Sequence, residues 1–551
     1  MKYKLKKIFL LSMMVISTLW IFWLSLTPLI DRDATRFHLP FAKLWAENSF
    51  LYFRPYFAFY DLNMLNLNYL YMLVFKLGLP DQFTKIIHAS FLIAGGYLIF
   101  KYFKDKYGFN WGALSFIFYI TIPIHQRLSS EVYVDLGLLF FSTLAIIYFI
   151  KWIESDFMKR NYFFISAIGA GLSFGTKYNG MIIVFFLTLF IGLTIAREKK
   201  DDKLALRSML IYASIILICA SPWLLRNFIN SGNPFFPLFN SIIPSNIEMP
   251  ANLVDGTVGE TMSRIINGKD SIFSLFMLPF RVFFEGVDHD FLKFDGKLNP
   301  FLILLLPFLF WHKYADKQRR KINIYLFALF LIIFLVTLYS NSIRVRYFIP
   351  VIPILIILNI EALRNIFKHR SKYTPILFYL LSFSFILYNI NYSAFLSSNL
   401  HLSGYNPFNS ESRNVYMKKY LRLHDFFEYI NDKTPEDSVI YEAFTGGRGY
   451  YVNRTFYSDP YSLDRYLLEL AKNGVSKDNY YKHFQNLPNS ELKATHLLIK
   501  PNSFVHTFIN INKNENDPED IQNNKKLQGF IKFIDSLKIL KTQNDIYLFE
   551  L

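Results

Sequence analysis

The sequence has little cysteine and little charge. Its one cysteine, Cys219, excludes an intramolecular disulfide and argues against a metal site built from several thiolates. Only 18% of the 551 residues are charged, whereas 53% are hydrophobic, and the mean hydropathy is +0.24. The sequence shows no internal repeat and no long low-complexity tract. A soluble chain of this size does not need so many separate apolar runs, so the composition indicates an α-helical polytopic membrane protein.

A helix that crosses a membrane needs about 20 mostly apolar residues, and about eleven runs approach that length. They lie at about 8–29, 84–102, 111–126, 134–152, 162–176, 180–196, 207–223, 298–312, 323–340, 347–361 and 374–393. The first run follows four lysines, as a signal sequence does. Because this run is long and no small-x-small cleavage site follows it, we predict an uncleaved first span.

Basic residues cluster in every second connection between these runs. The clusters are Lys2/Lys4/Lys6/Lys7, Lys101/Lys104/Lys106, Lys151/Lys159/Arg160, Arg197/Lys199/Lys200/Lys203, Lys313/Lys317/Arg319/Arg320/Lys321 and Arg364/Lys368/Arg370/Lys372. This alternation obeys the positive-inside rule, so it places these connections in the cytoplasm. It also accounts for most of the net charge of +17, which therefore implies no nucleic-acid partner.

The same alternation places the other connections outside the cytoplasm. They are about 30–83, 127–133, the turn near Lys177, 224–297, 341–346 and the chain from Ala394 onward. We therefore predict a multi-pass protein of the inner (cytoplasmic) membrane. The short apolar stretch 68–79 is predicted to be an interfacial helix, because counting it as a span would invert every later loop.

The composition changes near residue 394, where long apolar runs stop and Asn, Asp, Lys and Ser increase. This change predicts a transmembrane domain at 1–393, with large outer loops at 30–83 and 224–297, and an extracytoplasmic α/β domain at 394–551. Within the second domain, the pattern predicts four strands and two helices flanking a solvated loop at 512–526. The strands are 438–444, 450–457, 494–499 and 546–551, and the helices are 463–472 and 529–537.

Ionisable residues gather at the predicted outer ends of the spans. The segment Asp31 to Pro40 directly follows the first span and contains two carboxylates, two arginines and a histidine. Charged groups are costly at such a depth and need partners. Similar groups follow later spans: Glu131, Asp135, Lys177, Arg226, Asn227, Arg344, Arg346 and Tyr347. Acids and bases at one depth, from distant segments, predict one site at the membrane–water boundary.

This set of residue types suits group transfer from a phosphorylated lipid. A polyprenyl phosphate leaving group gains negative charge in the transition state, and fixed lysines and arginines stabilise that charge in a partly dry site. An acceptor hydroxyl is a poor nucleophile unless a positioned carboxylate takes its proton. The predicted outer face contains both kinds of group.

Five motifs, in this order, resemble the GT-C superfamily of polyprenyl-phosphate-sugar glycosyltransferases, especially the protein O-mannosyltransferases and the bacterial aminoarabinose and lipopolysaccharide-core transferases. The motifs are Asp33-Ala-x-x-Phe-His38, Val132-Tyr-Val-Asp135, Gly171-x-x-x-Gly-Thr-Lys177-Tyr-x-Gly180, Ser221-Pro-Trp-Leu-Leu-Arg-Asn227 with Gly232-Asn-Pro234, and Arg344-x-Arg-Tyr347-x-x-Pro350. Many members have Asp-Glu in the first motif, where this chain has Asp33-Ala34. The Lys-Pro-Pro element of the aminoarabinose branch has no match here.

The resemblance implies transfer of a sugar from a polyprenyl-phosphate donor to a hydroxyl outside the cytoplasm, with inversion at the anomeric carbon. The acceptor could be a glycolipid, a polysaccharide or a protein. Asp33 matches the catalytic base, and Asp135 would orient donor or acceptor. The predicted substrate-binding residues are His38, Lys177, Arg226, Asn227, Arg344, Arg346 and Tyr347. No metal and no other cofactor is predicted.

Each of these roles has a structural alternative. Asp33 and Asp135 could be helix N-caps, Lys177 could extend to the headgroups, and the arginines could anchor the chain at the interface. His38 could be a structural hydrogen-bonding residue, and the two aspartates could together hold a divalent cation. The alternative for the whole protein is a transporter or flippase for a lipid-linked glycan, but transporters tend to place polar residues at mid-membrane in repeated halves. A non-catalytic scaffold would leave the acids and bases unexplained.

Overall fold

The computed structural model describes residues 2–49, 51–54, 58–247, 271–311, 317–340, 344–369, 371–458, 464–488, 490–511 and 525–551. The chain divides into two compact units, and both are assembled from separate stretches of sequence. Unit 1 consists of Met1–Thr27, Met64–Leu225 and Ala251–Tyr405. Unit 2 consists of Pro28–Asn63, Arg226–Pro250 and Asn406–Leu551. The predicted domain boundary near residue 394 stays a prediction.

Unit 1 is helical. Its α-helices are Lys2–Ser25, Asn66–Lys76, Gln82–Tyr107, Phe109–Ile120, Pro123–Ser129, Asp135–Glu154, Arg160–Thr176, Gly180–Lys199, Asp202–Ser231 (which ends in unit 2), Ile272–Phe276, Leu278–Phe284, Phe301–Leu304, Lys317–Ser340, Ile352–Lys368 and Thr374–Asn399. Short 3₁₀ segments are Phe291–Lys293, Leu306–Phe310 and Val345–Val351. The predicted short helix at 68–79 is found as Asn66–Lys76.

Eight of the described helices are long and apolar enough to cross a membrane. The predicted count of eleven spans is not confirmed, because three of the predicted runs form shorter elements. Two are the helices Phe109–Ile120 and Arg160–Thr176, with 12 and 17 residues. The third run is divided into a helical turn and a 3₁₀ segment that has Pro307 in its first turn. Proline lacks a backbone N–H, so a continuous α-helix is disfavoured there.

Two groups of ion pairs lie at opposite ends of the same helix in unit 1. The helix Asp135–Glu154 begins where Asp135 pairs with Lys177 and ends where Glu154 pairs with Arg319. Arg319 also pairs with Glu361, at 2.6 Å. Because 20 residues at the α-helical rise span about 30 Å, the two polar layers are separated by about the thickness of a bilayer's hydrocarbon core.

Unit 2 is organised around a five-stranded mixed sheet with the strand order β2-β1-β3-β5-β4. β1 pairs in parallel with β2 and β3, and β5 pairs antiparallel with β3 and β4. The strands are β1 Val439–Ala443, β2 Thr455–Ser458, β3 His496–Ile499, β4 Lys538–Gln543 and β5 Ile546–Glu550. The helices of unit 2 are Leu39–Glu47, Ala58–Asp61, Ser410–Tyr420, His424–Lys433, Arg465–Lys472, Lys477–Gln485, Pro501–Ile511 and Gln528–Asp535, and a π-helical turn, Ala34–His38, precedes the first of them.

The core of unit 2 forms where the helix His424–Lys433 packs on the sheet. Phe426, Phe427 and Ile430 lie on one face of this helix at i, i+1 and i+4 and are buried in one cluster with Ile440 and Leu498 of the strands. This periodicity is that of an amphipathic helix with one apolar face. The cluster therefore fixes the central strands against the helical layer.

The four predicted strands and both predicted helices of the C-terminal region are present, with shorter bounds. The strand expected at 450–457 begins only at Thr455, because the preceding residues form a loop. β4 was not predicted; it has lysines at positions 538 and 541 and is largely exposed. Most of the solvated loop predicted at 512–526 lies outside the described residues.

Candidate functional site

Asp135 and Lys177, from different predicted motifs, meet in unit 1. Asp135 is the first residue of its helix and is 1% exposed. Lys177 Nζ donates to Asp135 Oδ1 at 2.8 Å. The side chain of Lys177 is 22% exposed, whereas the side chain of Asp135 is 2% exposed. The arrangement leaves a buried carboxylate covered by a partly accessible ammonium group.

The turn that carries Lys177 is closed by a glycine. The helix Arg160–Thr176 ends directly before Lys177, and the next helix begins at Gly180. A Cβ atom at Gly180 would lie 2.4 Å from the carbonyl oxygen of Ser173. Only glycine allows this approach, so the Gly-Thr-Lys-Tyr-x-Gly motif sets the tight turn that directs Lys177 toward Asp135.

Arg346 and Tyr347 complete this group. The Arg346 guanidinium carbon lies 5.5 Å from the ring centre of Tyr133 and 5.7 Å from that of Tyr347, and Lys177 Nζ lies 5.4 Å from the same Tyr347 ring. The charge of Arg346 acts on the Asp135 carboxylate together with that of Lys177. Two cations and one carboxylate leave a net positive charge, and such a set can hold a phosphate group.

Arg344, predicted to act with Arg346, has a different neighbour. Its guanidinium carbon lies 4.5 Å from the ring centre of Phe291, which is cation–π geometry. Arg344 has an extended backbone and precedes the 3₁₀ segment Val345–Val351, so the two arginines have different backbone conformations. A substrate-binding role for Arg344 stays a prediction.

A histidine fixes the loop before Asp135. The backbone N–H of Leu136 donates to His88 Nε2 at 3.0 Å, so the hydrogen of the neutral ring is on Nδ1. Nδ1 in turn lies 2.8 Å from the carbonyl oxygen of Glu131. His88 thereby holds both ends of the segment that presents Asp135.

Glu131 belongs to a second ion-pair group that sequence reasoning missed. Arg127, 5% exposed, pairs with Glu131 at 3.1 Å, with Asp288 at 3.4 Å and with Asp295 at 3.1 Å. The i, i+4 spacing of Arg127 and Glu131 could have indicated their pairing. The other two carboxylates come from a distant stretch and give no local signal. Glu131 thus has a structural partner, whereas Asp135 faces the cations described above.

Asp33 lies in unit 2, directly before the π-helical turn Ala34–His38 that continues into the helix Leu39–Glu47. Its side chain makes no capping hydrogen bond to this turn, and its backbone is already helical. An N-cap normally has non-helical dihedrals and accepts a backbone N–H, so capping does not explain the residue. Single π-helical turns are frequent at functional sites. His38 is buried within the same turn.

A glycine-rich loop after β1 holds the segment that carries Asp33, and both belong to unit 2. The loop begins with Gly446 and Gly447, at φ +111° and +71°. Four hydrogen bonds join the loop to this segment: Arg32 Nε to Gly446 O (3.3 Å), Arg448 Nη1 to Ile30 O (3.0 Å), Tyr450 N to Thr35 O (3.0 Å) and Tyr451 Oη to Leu29 O (2.8 Å). The C-terminal chain therefore fixes the backbone on both sides of Asp33.

Replacing Gly447 with alanine is expected to loosen this contact. A Cβ atom would lie 2.7 Å from Arg36 Nε, and the left-handed backbone adds about 1–2 kcal/mol. We expect faster hydrogen exchange in a peptide covering residues 29–38. Gly474→Ala is the matched control, because its φ is +60° but its Cβ would meet nothing closer than 3.7 Å. Equal exchange in the two variants would contradict the proposed crowding.

Arg226 and Asn227 are enclosed in unit 2. The Arg226 guanidinium is 0% exposed and donates to Asp61 Oδ1 at 2.9 Å, to the backbone oxygen of Asp61 at 2.7 Å and to that of Tyr52 at 3.1 Å. It also lies 5.1 Å from the Trp45 ring centre. Burial raises the pKa of the Asp61 carboxyl, and the guanidinium opposes this rise. Asn227 Nδ2 donates to Pro234 O at 3.4 Å.

The described residues offer one surface group of potential metal ligands, namely His424, Asp425 and Glu428, whose ligand atoms lie within 4.8 Å of one another. Two of the three residues are half-buried and Glu428 is exposed. The group is local to one helix end and coincides with no predicted site residue. It gives no reason to assign a metal.

Comparisons with known proteins identify the family. A model described as "Domain of unknown function (DUF8201)" matches residues 73–353, which is more than half of the chain. The chain belongs to the DUF8201 family. In this DUF8201 member, the matched range includes Asp135, Lys177 and Arg346. No curated protein matches the sequence.

Solved structures similar to this DUF8201 member are membrane glycosyltransferases of the GT-C fold. ArnT from Cupriavidus metallidurans bound to undecaprenyl phosphate matches with a TM-score of 0.57 and 12% identity over 98% of this chain and 97% of ArnT. The Archaeoglobus fulgidus oligosaccharyltransferase matches with a TM-score of 0.52 and 13% identity over 89% of this chain and 69% of that chain. AglB from the same organism, in complex with an inhibitory peptide and a dolichol-phosphate, matches with a TM-score of 0.50 and 12% identity over 91% and 71%. The predicted GT-C-like fold is confirmed.

Proposed function

We propose that this chain is a membrane glycosyltransferase that moves a sugar from a polyprenyl-phosphate donor to a hydroxyl acceptor outside the cytoplasmic membrane. The observation that carries the proposal is the group of Asp135, Lys177 and Arg346 at the ends of apolar helices. Its net positive charge suits a lipid phosphate. The fold supports this reading, since the similar ArnT crystal structure is bound to undecaprenyl phosphate and the similar AglB structure is a complex with an inhibitory peptide and a dolichol-phosphate.

In the proposed reaction, the acceptor oxygen attacks the anomeric carbon and the bond from that carbon to the phosphate oxygen breaks. The polyprenyl phosphate leaves with the electron pair, and the configuration inverts. Asp33 takes the proton of the acceptor hydroxyl. Lys177 and Arg346 stabilise the charge that develops on the leaving phosphate, and Asp135 fixes the ammonium group of Lys177. Tyr347, His38, Asn227 and Arg344 keep their predicted substrate-binding roles in this proposal, whereas the enclosed Arg226 has a structural role with Asp61.

Transfer of radiolabelled sugar from extracted polyprenyl-phosphate sugars tests the proposal. Membranes that contain the full chain should transfer label to an endogenous hydroxyl acceptor, whereas membranes from cells without it should not. If no label is transferred but the lipid-linked sugar crosses sealed vesicles, the chain is a transporter and the proposal is wrong. Transporters tend to place polar residues at mid-membrane, whereas here ionisable groups gather at the predicted outer ends of the spans, which favours the first outcome.

Replacing Lys177 with methionine is expected to slow transfer about 10- to 100-fold, because one charge-assisted hydrogen bond to the phosphate is lost. Lys177→Arg should recover part of the rate, because it restores the positive charge. Lys76→Met is the matched control, since Lys76 is an exposed lysine of unit 1 outside the group. Initial rates at equal amounts of folded protein measure the effect. Equal rates for Lys177→Met and wild type would show that Lys177 does not bind the phosphate.

A further inference from the structure

Unit 2 contains a cavity of about 370 Å³ whose lining includes none of the residues named in the proposed reaction. One wall is a single face of the helical segment that follows Asp33, where Arg36, Pro40, Lys43 and Glu47 recur at helical spacing. The opposite wall is the chain that leads into β2, including Tyr450 and Arg454. The volume is in the range of sites for small molecules, about 300–1,000 Å³.

The lining of this cavity carries excess positive charge. Four cationic side chains contribute to it, namely Arg36, Lys43, Arg54 and Arg454, against the two carboxylates Glu47 and Glu436. Arg36 is buried and the other three cations are half-buried, whereas both carboxylates are exposed. Charges act more strongly where water is excluded. The inner part of the cavity is therefore the positive part, and an anion is favoured there.

One of these cations is held in place by the backbone. Arg454 Nη2 donates to the carbonyl oxygens of Asn431 and Thr434, at 2.8 and 2.9 Å. The guanidinium is thereby fixed before any ligand binds, which lowers the entropy cost of binding. Tyr450 and Phe456 add aromatic groups to the same lining. Aromatic rings beside fixed cations suit a sugar that has both C–H faces and an acidic substituent.

We propose that this cavity binds the acceptor, and that the acceptor is a sugar chain carrying a carboxylate or phosphate group. The cations would hold the acidic substituent, and the hydroxyl to be glycosylated would extend along the helical face toward Asp33, one turn before Arg36. The role of this sugar as the acceptor rests on the proposed function, but binding of an anionic sugar by the cavity does not.

Calorimetric titration of the purified full chain in detergent tests the binding. The probes are digalacturonate and glucose 6-phosphate, with maltose and glucose as their neutral counterparts. We expect saturable binding of at least one anionic probe, and which one binds distinguishes carboxylate from phosphate. Lys43→Glu should weaken that binding about tenfold or more, while Lys493→Glu, an exposed lysine of unit 2 outside the lining, should not. Equal binding of charged and neutral probes, or no effect of Lys43→Glu, would overturn the proposal.

Transfer kinetics separate this inference from the proposed function. With a working transfer assay, Lys43→Glu should raise the acceptor KM and leave kcat unchanged, because the lysine binds the acceptor outside the reacting bonds. If the chain binds anionic sugars through Lys43 but transfers no sugar, the binding site is confirmed and the proposed glycosyltransferase function is wrong. If the chain transfers sugar and Lys43→Glu leaves the acceptor KM unchanged, the proposed function is confirmed and the proposal that the cavity binds the acceptor is wrong.

Discussion

Replacing Asp33 with asparagine is expected to lower the rate of sugar transfer by roughly 10²–10⁴-fold, the usual contribution of a positioned general base. Asparagine keeps the size of the side chain and one acceptor oxygen, but it cannot accept the proton of the acceptor hydroxyl. The loss should appear in kcat, because the proton moves only as the bond to the anomeric carbon forms. Initial rates with saturating donor and acceptor, at matched expression, measure it.

Asp31→Asn is the matched control for this experiment. Asp31 is a second carboxylate in the same segment, is half-buried like Asp33, and is not assigned a role in the reaction. If only the negative charge of the segment mattered, the transfer rates of both variants would fall by the same factor. Wild-type rates in Asp33→Asn would show that Asp33 is not the base.

The parts of the fold and site that could be predicted depend on local patterns. Apolar runs and alternating basic loops predicted a helical membrane protein in which the outer ends of the spans lie at one depth. This shared depth was enough to predict that Asp135, Lys177 and Arg346 belong to one site, because residues at the ends of neighbouring helices lie at similar depths. The structure brings these three together through one ion pair and aromatic contacts.

The parts that could not be predicted depend on contacts between distant stretches. Asp61 received no role, because its partner Arg226 is 165 residues away and neither motif indicates the other. The glycine-rich loop at Gly446 also received no role, because only the structure shows that it hydrogen-bonds to the segment of Asp33. Both features depend on contacts between stretches that are far apart in the chain. Such contacts produce no periodic pattern in a single sequence.

Replacing Arg226 with leucine is expected to destabilise the folded chain by about 3–5 kcal/mol, because the carboxylate of Asp61 would remain buried without its counter-ion. Two backbone oxygens, those of Asp61 and Tyr52, would also lose their donors. Denaturant unfolding of the full chain in detergent, followed by tryptophan fluorescence, measures the loss. The predicted phosphate-binding role gives a different result, in which Arg226→Leu weakens donor binding and leaves the unfolding midpoint unchanged.

The pH dependence of this loss has a definite sign. Burial raises the pKa of the Asp61 carboxyl, and removal of the opposing guanidinium would raise this pKa further. The folded variant then binds a proton more tightly than the unfolded chain, so its stability falls as pH rises above the ordinary range of aspartate, about 4. The deficit of Arg226→Leu relative to wild type should therefore be larger at pH 8 than at pH 5. The double variant Asp61→Leu/Arg226→Leu should recover most of the deficit at pH 8, because it leaves no buried charge. If the double variant is no more stable than Arg226→Leu, the hydrogen bonds to the backbone, and not the ion pair, hold this part of unit 2 together.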